Sequence, residues 1–379
     1  MSRVVFWVAV ACTLYTYLGY PALLALLARL RPRPVRRAPV RPSVSILIVA
    51  HNEARSIARK IESCLALDYP ADRLEIAVAS DGSTDATAAI ARAYERRGVR
   101  VFAFEVRRGK PSALNAAIPK LRGEIVVLAD ARQTFDPGAL TALVENFADP
   151  EVGAVSGELV VGEGAGAAVA DGVGVYWRYE KAIRRHESRY DSAVGATGAI
   201  YALRRALFER IPDDTVLDDV LIPMRVAGRG HRVIFEPAAR ALDEATATAR
   251  QEFVRKVRTI AGNFQLFVRH PWLLNPRRNR LWVQTVSHKA LRLLAPAFLL
   301  AILASCVALR DVPLYRTALV LQGLFYAAAA LGHLVGARRR TSRWLTVPYA
   351  FCFLNFITVV SFWRFVTARQ AVTWTKASR

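Results

Sequence analysis

From Val4 to Ala28 the chain is almost wholly apolar and aromatic. About 20 such residues in a helix are enough to cross the hydrocarbon core of a bilayer. Few features constrain a fold more, because every backbone polar group inside lipid must be satisfied within the segment itself. The stretch is too long for the core of a signal peptide, and no convincing small-residue cleavage site follows it. Three more apolar stretches lie near the other end, Ala290–Leu309, Leu314–Val335 and Trp344–Val366. The expectation is a membrane protein with apolar ends and a long polar middle.

Charge sets the expected orientation. Residues 29–42, RLRPRPVRRAPVRP, carry Arg29, Arg31, Arg33, Arg36, Arg37 and Arg41, and their prolines keep the segment extended. Such a flank stays in the cytoplasm, which puts the N-terminus outside. Arg338, Arg339, Arg340 and Arg343 mark a second cytoplasmic loop, and the loop around Asp311 falls outside. This count leaves the tail with Arg369, Lys376 and Arg379 outside, against the charge rule, unless the last apolar stretch lies in the interface. Asn275–Arg292, with Trp282 among basic residues, reads as an interfacial helix leading into the second span. Lys and Arg number 53 against 31 Asp and Glu, a formal charge of +22. That excess selects anionic partners. Beside a spanning helix, bilayer headgroups are simpler partners than nucleic acid, and no nucleic-acid partner is expected. Cys12, Cys64, Cys306 and Cys352 have neither a CxxC pair nor ligand spacing and read as reduced packing residues.

Between Pro42 and about Pro271 the pattern changes. VSILIVA (44–50), EIAVAS (75–80), VRVFAFE (99–105) and EIVVLAD (124–130) are short β-branched runs. Helix-like stretches separate them at Glu53–Leu65, Thr84–Arg96 and Ser112–Leu121. This alternation predicts a parallel α/β sheet covered on both faces. Ligands of such sheets bind beyond the C-terminal strand ends. Acids stand at those ends: Asp81 after the second run, with Asp85 four residues on, and Asp130 after the fourth. Thr84 is placed to cap the next helix, whose free N–H groups favour an anion. A plain turn formed by Asp81, Ser83 and Thr84 is the competing account. Acids gathered at neighbouring strand tips repel one another unless something positive lies between them. The Gly/Ala run Gly162–Gly174 reads as a loop. YWRYEKAIRR (176–185) reads as a core or membrane-facing helix. His51, His186, His231 and His288 lack ligand spacing and read as packing or surface residues.

AHNEA (50–54), ASDGSTDAT (79–87), RGKPSALNAAI (108–118), LADARQTFDPGAL (128–140), GATGAIYALRR (195–205) and LDDVLIPMRVAGRGHRV (217–233) together resemble the inverting glycosyltransferases of family 2. That group has a GT-A, nucleotide-sugar-binding fold and includes hyaluronan, chitin and cellulose synthases. The resemblance covers about Ser43 to Phe267, and the layout of apolar helices resembles that of the membrane-bound synthases. It implies that Glu53 and Asp81 bind the nucleoside and that Lys110 lies near the phosphates. It implies that Asp130 is the first acid of the DxD metal motif, holding Mg²⁺ or Mn²⁺. Gly198 and Ala199 would line the acceptor side, Asp219 would be the catalytic base, and Arg258 would match the arginine of the QxxRW motif. Two positions depart from the pattern. Arg132 makes DxD into Asp-Ala-Arg, and QxxRW reads RKVRT, with Arg255 and Thr259 in place of Gln and Trp. The second departure bears on long-chain processivity more than on catalysis.

Asp130 alone could hold such a metal, since Mg²⁺ commonly takes one or two carboxylates beside substrate phosphates. Arg132 either adds positive charge toward the diphosphate or faces away to pair with an acid. Asp136, before Pro137, reads as a helix N-cap. Inverting transfer needs one base, for which Asp219 is the candidate; Asp218 reads as a cap of the helix that follows. Arg255 and Arg258 share one face of the helix Gln251–Phe267, where a headgroup-facing basic patch is the competing account.

The expected organisation is a spanning helix (1–30), a basic linker (31–42), a cytoplasmic GT-A α/β domain (43–270), an interfacial segment (271–289), spanning helices (290–368) and a basic tail (369–379). The expected activity is a hexosyl- or N-acetylhexosaminyltransferase of the inner cell membrane. It would move a sugar from a nucleotide-diphosphate donor, such as a UDP-sugar, to a glycan or lipid-linked acceptor. A single-transfer lipid enzyme and a non-catalytic membrane scaffold that binds nucleotide sugars are the alternatives.

Overall fold

The computed structural model describes residues 1–162, 168–243, 249–336 and 342–367. The chain opens with an apolar helix, α1 (Ser2–Leu30). The middle then alternates β1 (Val44–Ala50), α2 (Ile57–Leu65), β2 (Leu74–Asp81), α3 (Thr87–Arg92), β3 (Val99–Phe104), α4 (Lys110–Ala117) and β4 (Ile125–Asp130). There follow β5 (Thr134–Phe135), α5 (Ala139–Val144), β6 (Val152–Val161), α6 (Ala168–Tyr190), β7 (Ile200–Arg204), α7 (Asp218–Gly228), β8 (Arg232–Asp243) and α8 (Ala249–Arg269). Three apolar helices close the described chain: α9 (Trp282–Ala308), α10 (Pro313–Gly336) and α11 (Arg343–Val366).

β1 is VSILIVA, with hardly a polar atom on either face, and it lies in the middle of the parallel half of the sheet. The sheet order is β3-β2-β1-β4-β7-β6-β8-β5. The first four strands of that order are parallel, whereas β7 is antiparallel to both β4 and β6. The sheet is therefore mixed, not wholly parallel as the strand-helix alternation suggests. Alternate residues feed two apolar layers. Ile46 and Ile48 pack with Ile57, Ile61, Leu140 and Leu143 on one face. Leu47 packs with Leu114, Tyr201, Val220 and Leu266 on the other. Each such aliphatic side chain contributes about 1.5–3 kcal/mol when fully buried. One charge is enclosed in the first layer: Lys60, whose Nζ lies 3.1 Å from the ring centroid of Phe135 and whose pKa burial pushes down to about 8.

The mixed order brings chain ends together. Val49 pairs with Asp130 and Ala50 with Ser80, so β1, β2 and β4 finish at one edge. Ala129 pairs with Ile200, so β7 enters from that same edge and the residues just before Ile200 stand beside Asp130.

Among the described residues four helices are long and apolar enough to cross a membrane, one before the α/β sheet and three after it. α9 runs on from Trp282 without a break, so the part of Asn275–Arg292 from Trp282 onward is continuous with the apolar helix, while Pro271–Leu274 forms a short 3-10 turn before it. α11 differs from the others. A third of its most apolar window is buried, against 11–17% for the other three. It lies along α8, with Phe264 against Phe362 and Phe365 and Phe253 against Phe353 and Phe356. Residues 31–42 are strapped onto the domain. Arg33 reaches Glu151 and Asp191, Arg37 reaches Glu236, and the Arg33 carbonyl accepts from Arg232. Of the Gly162–Gly174 run, residues 168–174 are helical and 163–167 lie outside the described residues, as do Arg338, Arg339, Arg340 and the tail with Arg369, Lys376 and Arg379.

Gly82 shows why the turn after β2 needs glycine. Its φ is +56°, and a Cβ there would lie 2.3 Å from the Arg107 nitrogen and 2.8 Å from the Val106 carbonyl carbon. Backbone atoms cannot give way, so Gly82→Ala should cost about 2 kcal/mol or more, roughly 4–8 °C in melting temperature. Thermal unfolding of the detergent-solubilised protein checks this; an unchanged Tm contradicts it.

Candidate active site

Charged side chains from separate elements meet at the strand edge. Lys110 begins α4, and its Nζ lies 2.9 Å from Asp130 Oδ1 at the end of β4 and 3.3 Å from Asp218 Oδ2 at the start of α7. The next residue, Asp219, joins them. A Cβ built on Gly198 would stand 3.4 Å from Asp219 Oδ2, 3.5 Å from Asp130 Oδ2 and 3.6 Å from Lys110 Nζ. The bare backbone of Gly198 thus forms one wall of the cluster. Arg258 approaches from α8. Burial lowers its pKa, while Asp218, Asp130 and Asp219 act in the opposite sense. Beneath lies Tyr201, fully buried, its hydroxyl pKa raised well above the ordinary value by burial and by the same three acids.

Positive charge is scarce here and the acids respond. Burial and the neighbouring Asp218 push the pKa of Asp219 up to about 6, although Lys110 pulls the other way. Burial works against the charge on Lys110, but Asp130 and Asp218 overcome it and hold its pKa above the usual lysine value. A partly exposed carboxylate with a pKa near neutrality, next to a fixed cation, has the properties of a general base.

The other expected donor-site residues lie further along the edge. Asp81 is buried, and its two oxygens accept the N–H groups of Arg108 and Gly109, each at 2.8 Å. It stands two strands from Asp130, roughly 10 Å by strand spacing. Its link to the cluster is the 107–110 turn that launches Lys110. Glu53 accepts from the Ser56 hydroxyl at 2.7 Å, and its N–H donates to Thr87 Oγ1. Asn52 adopts a left-handed φ of +53° and takes the Thr84 N–H on its side-chain oxygen. Thr84 does not cap α3, whose N-cap position is Ala86 with no side-chain cap; Asp85 accepts the Thr87 N–H at 3.0 Å. Ala199 is buried in the apolar layer. Arg132 is exposed. Asp136 precedes α5 by three residues and offers its backbone carbonyl to Ala139.

Lys110, Asp130, Gly198, Asp219 and Arg258 therefore converge, while Asp81 and Glu53 build the adjoining turn. Asp218 and Tyr201 belong to the cluster and were not expected there. Asp218 reads as a cap in the sequence, yet α7 has no side-chain cap, and Asp218 is buried against Lys110. The signal for it was the doubled acid at a helix start. Tyr201 was legible only through register, since it pairs with Leu128 two residues before Asp130.

Among the described residues no group of three or more His, Cys, Asp or Glu side chains is arranged to hold a metal by itself. The donor chemistry nevertheless suits a hard divalent cation. Asp130, Asp218 and Asp219 offer carboxylate oxygens, and Asp218 Oδ2 is buried with the Lys110 ammonium 3.3 Å away. Asp130 fits as a ligand that shares the ion with oxygens of a phosphorylated substrate.

Residues 45–211 match the family described as Glycosyl transferase family 2. "Probable glycosyltransferase YdaM" of Bacillus subtilis is 27% identical over 232 residues, 59% of this chain and 55% of its own. A poly-beta-1,6-N-acetyl-D-glucosamine synthase of Staphylococcus epidermidis is 25% identical over 236 residues, 60% of this chain and 56% of its own. The chain thus spans about half the length of these relatives. A solved mannosyltransferase from Pyrobaculum calidifontis, in complex with GDP-Man and Mn²⁺, superposes with a TM-score of 0.72 at 26% identity, covering 95% of this chain and 99% of that one. The mixed sheet is accordingly a GT-A fold.

Lys110→Met removes the ammonium between Asp130 and Asp218. The acids then repel, their folded-state pKa values rise above those of the unfolded chain, and stability falls as pH rises through them. In chelator, the melting temperature of the variant should drop by several degrees relative to wild type at pH 8, and the gap should narrow toward pH 5. A gap independent of pH contradicts the shared-cation reading.

Proposed function

We propose that this chain, which carries a family 2 glycosyltransferase domain, transfers a sugar from a nucleotide-diphosphate donor to a glycan or lipid-linked acceptor, with inversion at the anomeric carbon. The observation that carries the proposal is the position of Asp219. It faces Asp130 and Lys110 across Gly198, and its pKa is pushed up to about 6.

Each group then has a role. Asp219 takes the proton of the acceptor hydroxyl as the new C–O bond forms and the bond to the diphosphate oxygen breaks. Charge gathers on the leaving diphosphate and is met by Lys110 and Arg258. A divalent ion held at Asp130 would add positive charge at that diphosphate. Asp81, through the 107–109 turn, fixes where α4 and Lys110 begin, and with Glu53 it forms the nucleoside side. Gly198 leaves room for the acceptor. The synthase relatives favour an N-acetylhexosaminyl donor; the mannosyltransferase neighbour favours GDP-mannose as the second candidate.

The arginine-rich flank after α1 supports a cytoplasmic catalytic region. The close seam between α11 and α8 supports an interfacial rather than spanning α11. That arrangement returns the basic tail to the cytoplasm, where the charge rule puts it.

Membranes containing the protein, given labelled UDP-GlcNAc, UDP-glucose or GDP-mannose with Mn²⁺ or with chelator, test the proposal. Polymer or a one-sugar lipid supports it; binding without turnover for every donor favours a scaffold. Asp219→Asn should reduce transfer by about 10³-fold or more and leave nucleotide affinity within about threefold. Because the base must be deprotonated, kcat/KM should fall as pH drops, with an apparent pKa near 6. A flat profile from pH 5 to 8 removes Asp219 from that role.

A further inference from the structure

Buried charge also collects where the apolar helices meet the sheet domain. Glu180 and Glu187 on α6 are both buried, and His288 of α9 lies between them. Its Nε2 is 2.7 Å from Glu180 Oε1 and its Nδ1 is 2.8 Å from Glu187 Oε1. Arg292 donates to the other Glu180 oxygen at 2.7 Å. From α1, the Tyr20 hydroxyl donates to Glu187 Oε1 at 2.7 Å. Both apolar helices widen to π-helical turns here, Tyr15–Gly19 in α1 and Val286–Ala290 in α9, and the Tyr15 and Ser287 hydroxyls bond between those turns at 2.8 Å. Such wide turns concentrate at functional sites.

A staple between helices would need nothing more, yet Glu187 has a further partner. Its second oxygen, Oε2, accepts the Val194 N–H at 3.2 Å. The loop from Val194 leads straight to the acid cluster. Gly195 has a φ of +94°, and a Cβ there would press on Val220 and the Asp219 carbonyl. The Ala196 N–H donates to that carbonyl at 2.7 Å, the Thr197 N–H donates to Ser156 Oγ at 3.0 Å, and Gly198 is the wall already described.

We propose that Glu187 is a positioning residue through which α1 and α9 set the 193–198 loop, and with it the backbone of Asp219. Its importance for turnover rests on the glycosyl-transfer reading above; its hold on the loop does not. The membrane helices on this account help to shape the acceptor wall as well as anchoring the domain.

Hydrogen exchange of the full chain in detergent, followed by mass spectrometry, tests the hold directly. Glu187→Gln keeps the shape and one acceptor oxygen. Exchange in peptides covering 193–198 should quicken by about tenfold, the loss of roughly one buried charged hydrogen bond, while β1 stays as protected as in wild type. Tyr20→Phe removes one hydroxyl from α1 and should quicken the same peptides by about threefold. Affinity for UDP and GDP with Mn²⁺ should stay within about twofold, and transfer with the active donor should fall about tenfold in kcat at unchanged donor KM. Unchanged exchange at 193–198 in a folded Glu187→Gln protein overturns the proposal, as does loosening of β1 to the same degree. If that variant does not fold, Tyr20→Phe and His288→Gln decide by the same peptides. Quickened exchange in a protein that transfers no sugar in any background upholds the positioning and sinks the glycosyl-transfer reading instead.

Discussion

One ammonium shared among several carboxylates organises the candidate site. Asp130 and Asp218 both reach Lys110, and Asp219 stands within the same small volume. Like charges at such separations cannot all remain ionised without compensation. The fold supplies it from two helices that begin or pass at the strand edge, α4 with Lys110 and α8 with Arg258. The mixed strand order serves the same end. Only because β7 runs against β4 does the chain enter beside Asp130 with a glycine that adds no bulk.

The second set of buried charges obeys the same rule in a different setting. Charges taken from water are tolerated when each is paired and hydrogen-bonded. Glu180, Glu187 and Arg292 each have such close contacts, with His288 and Tyr20 among the partners. These bonds join helices whose apolar surfaces would otherwise be free to slide, since lipid tails compete on equal terms for greasy side chains.

Much of this was legible in the sequence, and the exceptions have physical causes. β1 was readable to the residue because both its faces are buried, which leaves a continuous apolar run. α2 starts later than its periodicity suggests because Asn52, Glu53 and Ala54 are engaged with Thr84, Thr87 and Asp85 instead of a helical turn. The antiparallel strands were not seen because direction leaves no mark on a five-residue run such as Ile200–Arg204. The residues of the acid cluster from Lys110 to Arg258 were found through an ordered set of motifs. Asp218 was missed because an acid at a helix start usually caps it, and His288 because its partners lie about a hundred residues away on another helix. The arginines after α1 were matched to headgroups, yet Arg33 and Arg37 hold acids of the domain itself.

The aromatic seam between α8 and α11 bears on how this molecule could be dissected. Phe253 and Phe264 sit on the helix that also delivers Arg258, and the rings covering them come from the final apolar helix. A fragment trimmed of its hydrophobic tail to gain solubility would bare that strip on the very helix that borders the acid cluster. Detergent or lipid would then be drawn to it, and the trimmed enzyme would report on a surface the intact chain never exposes.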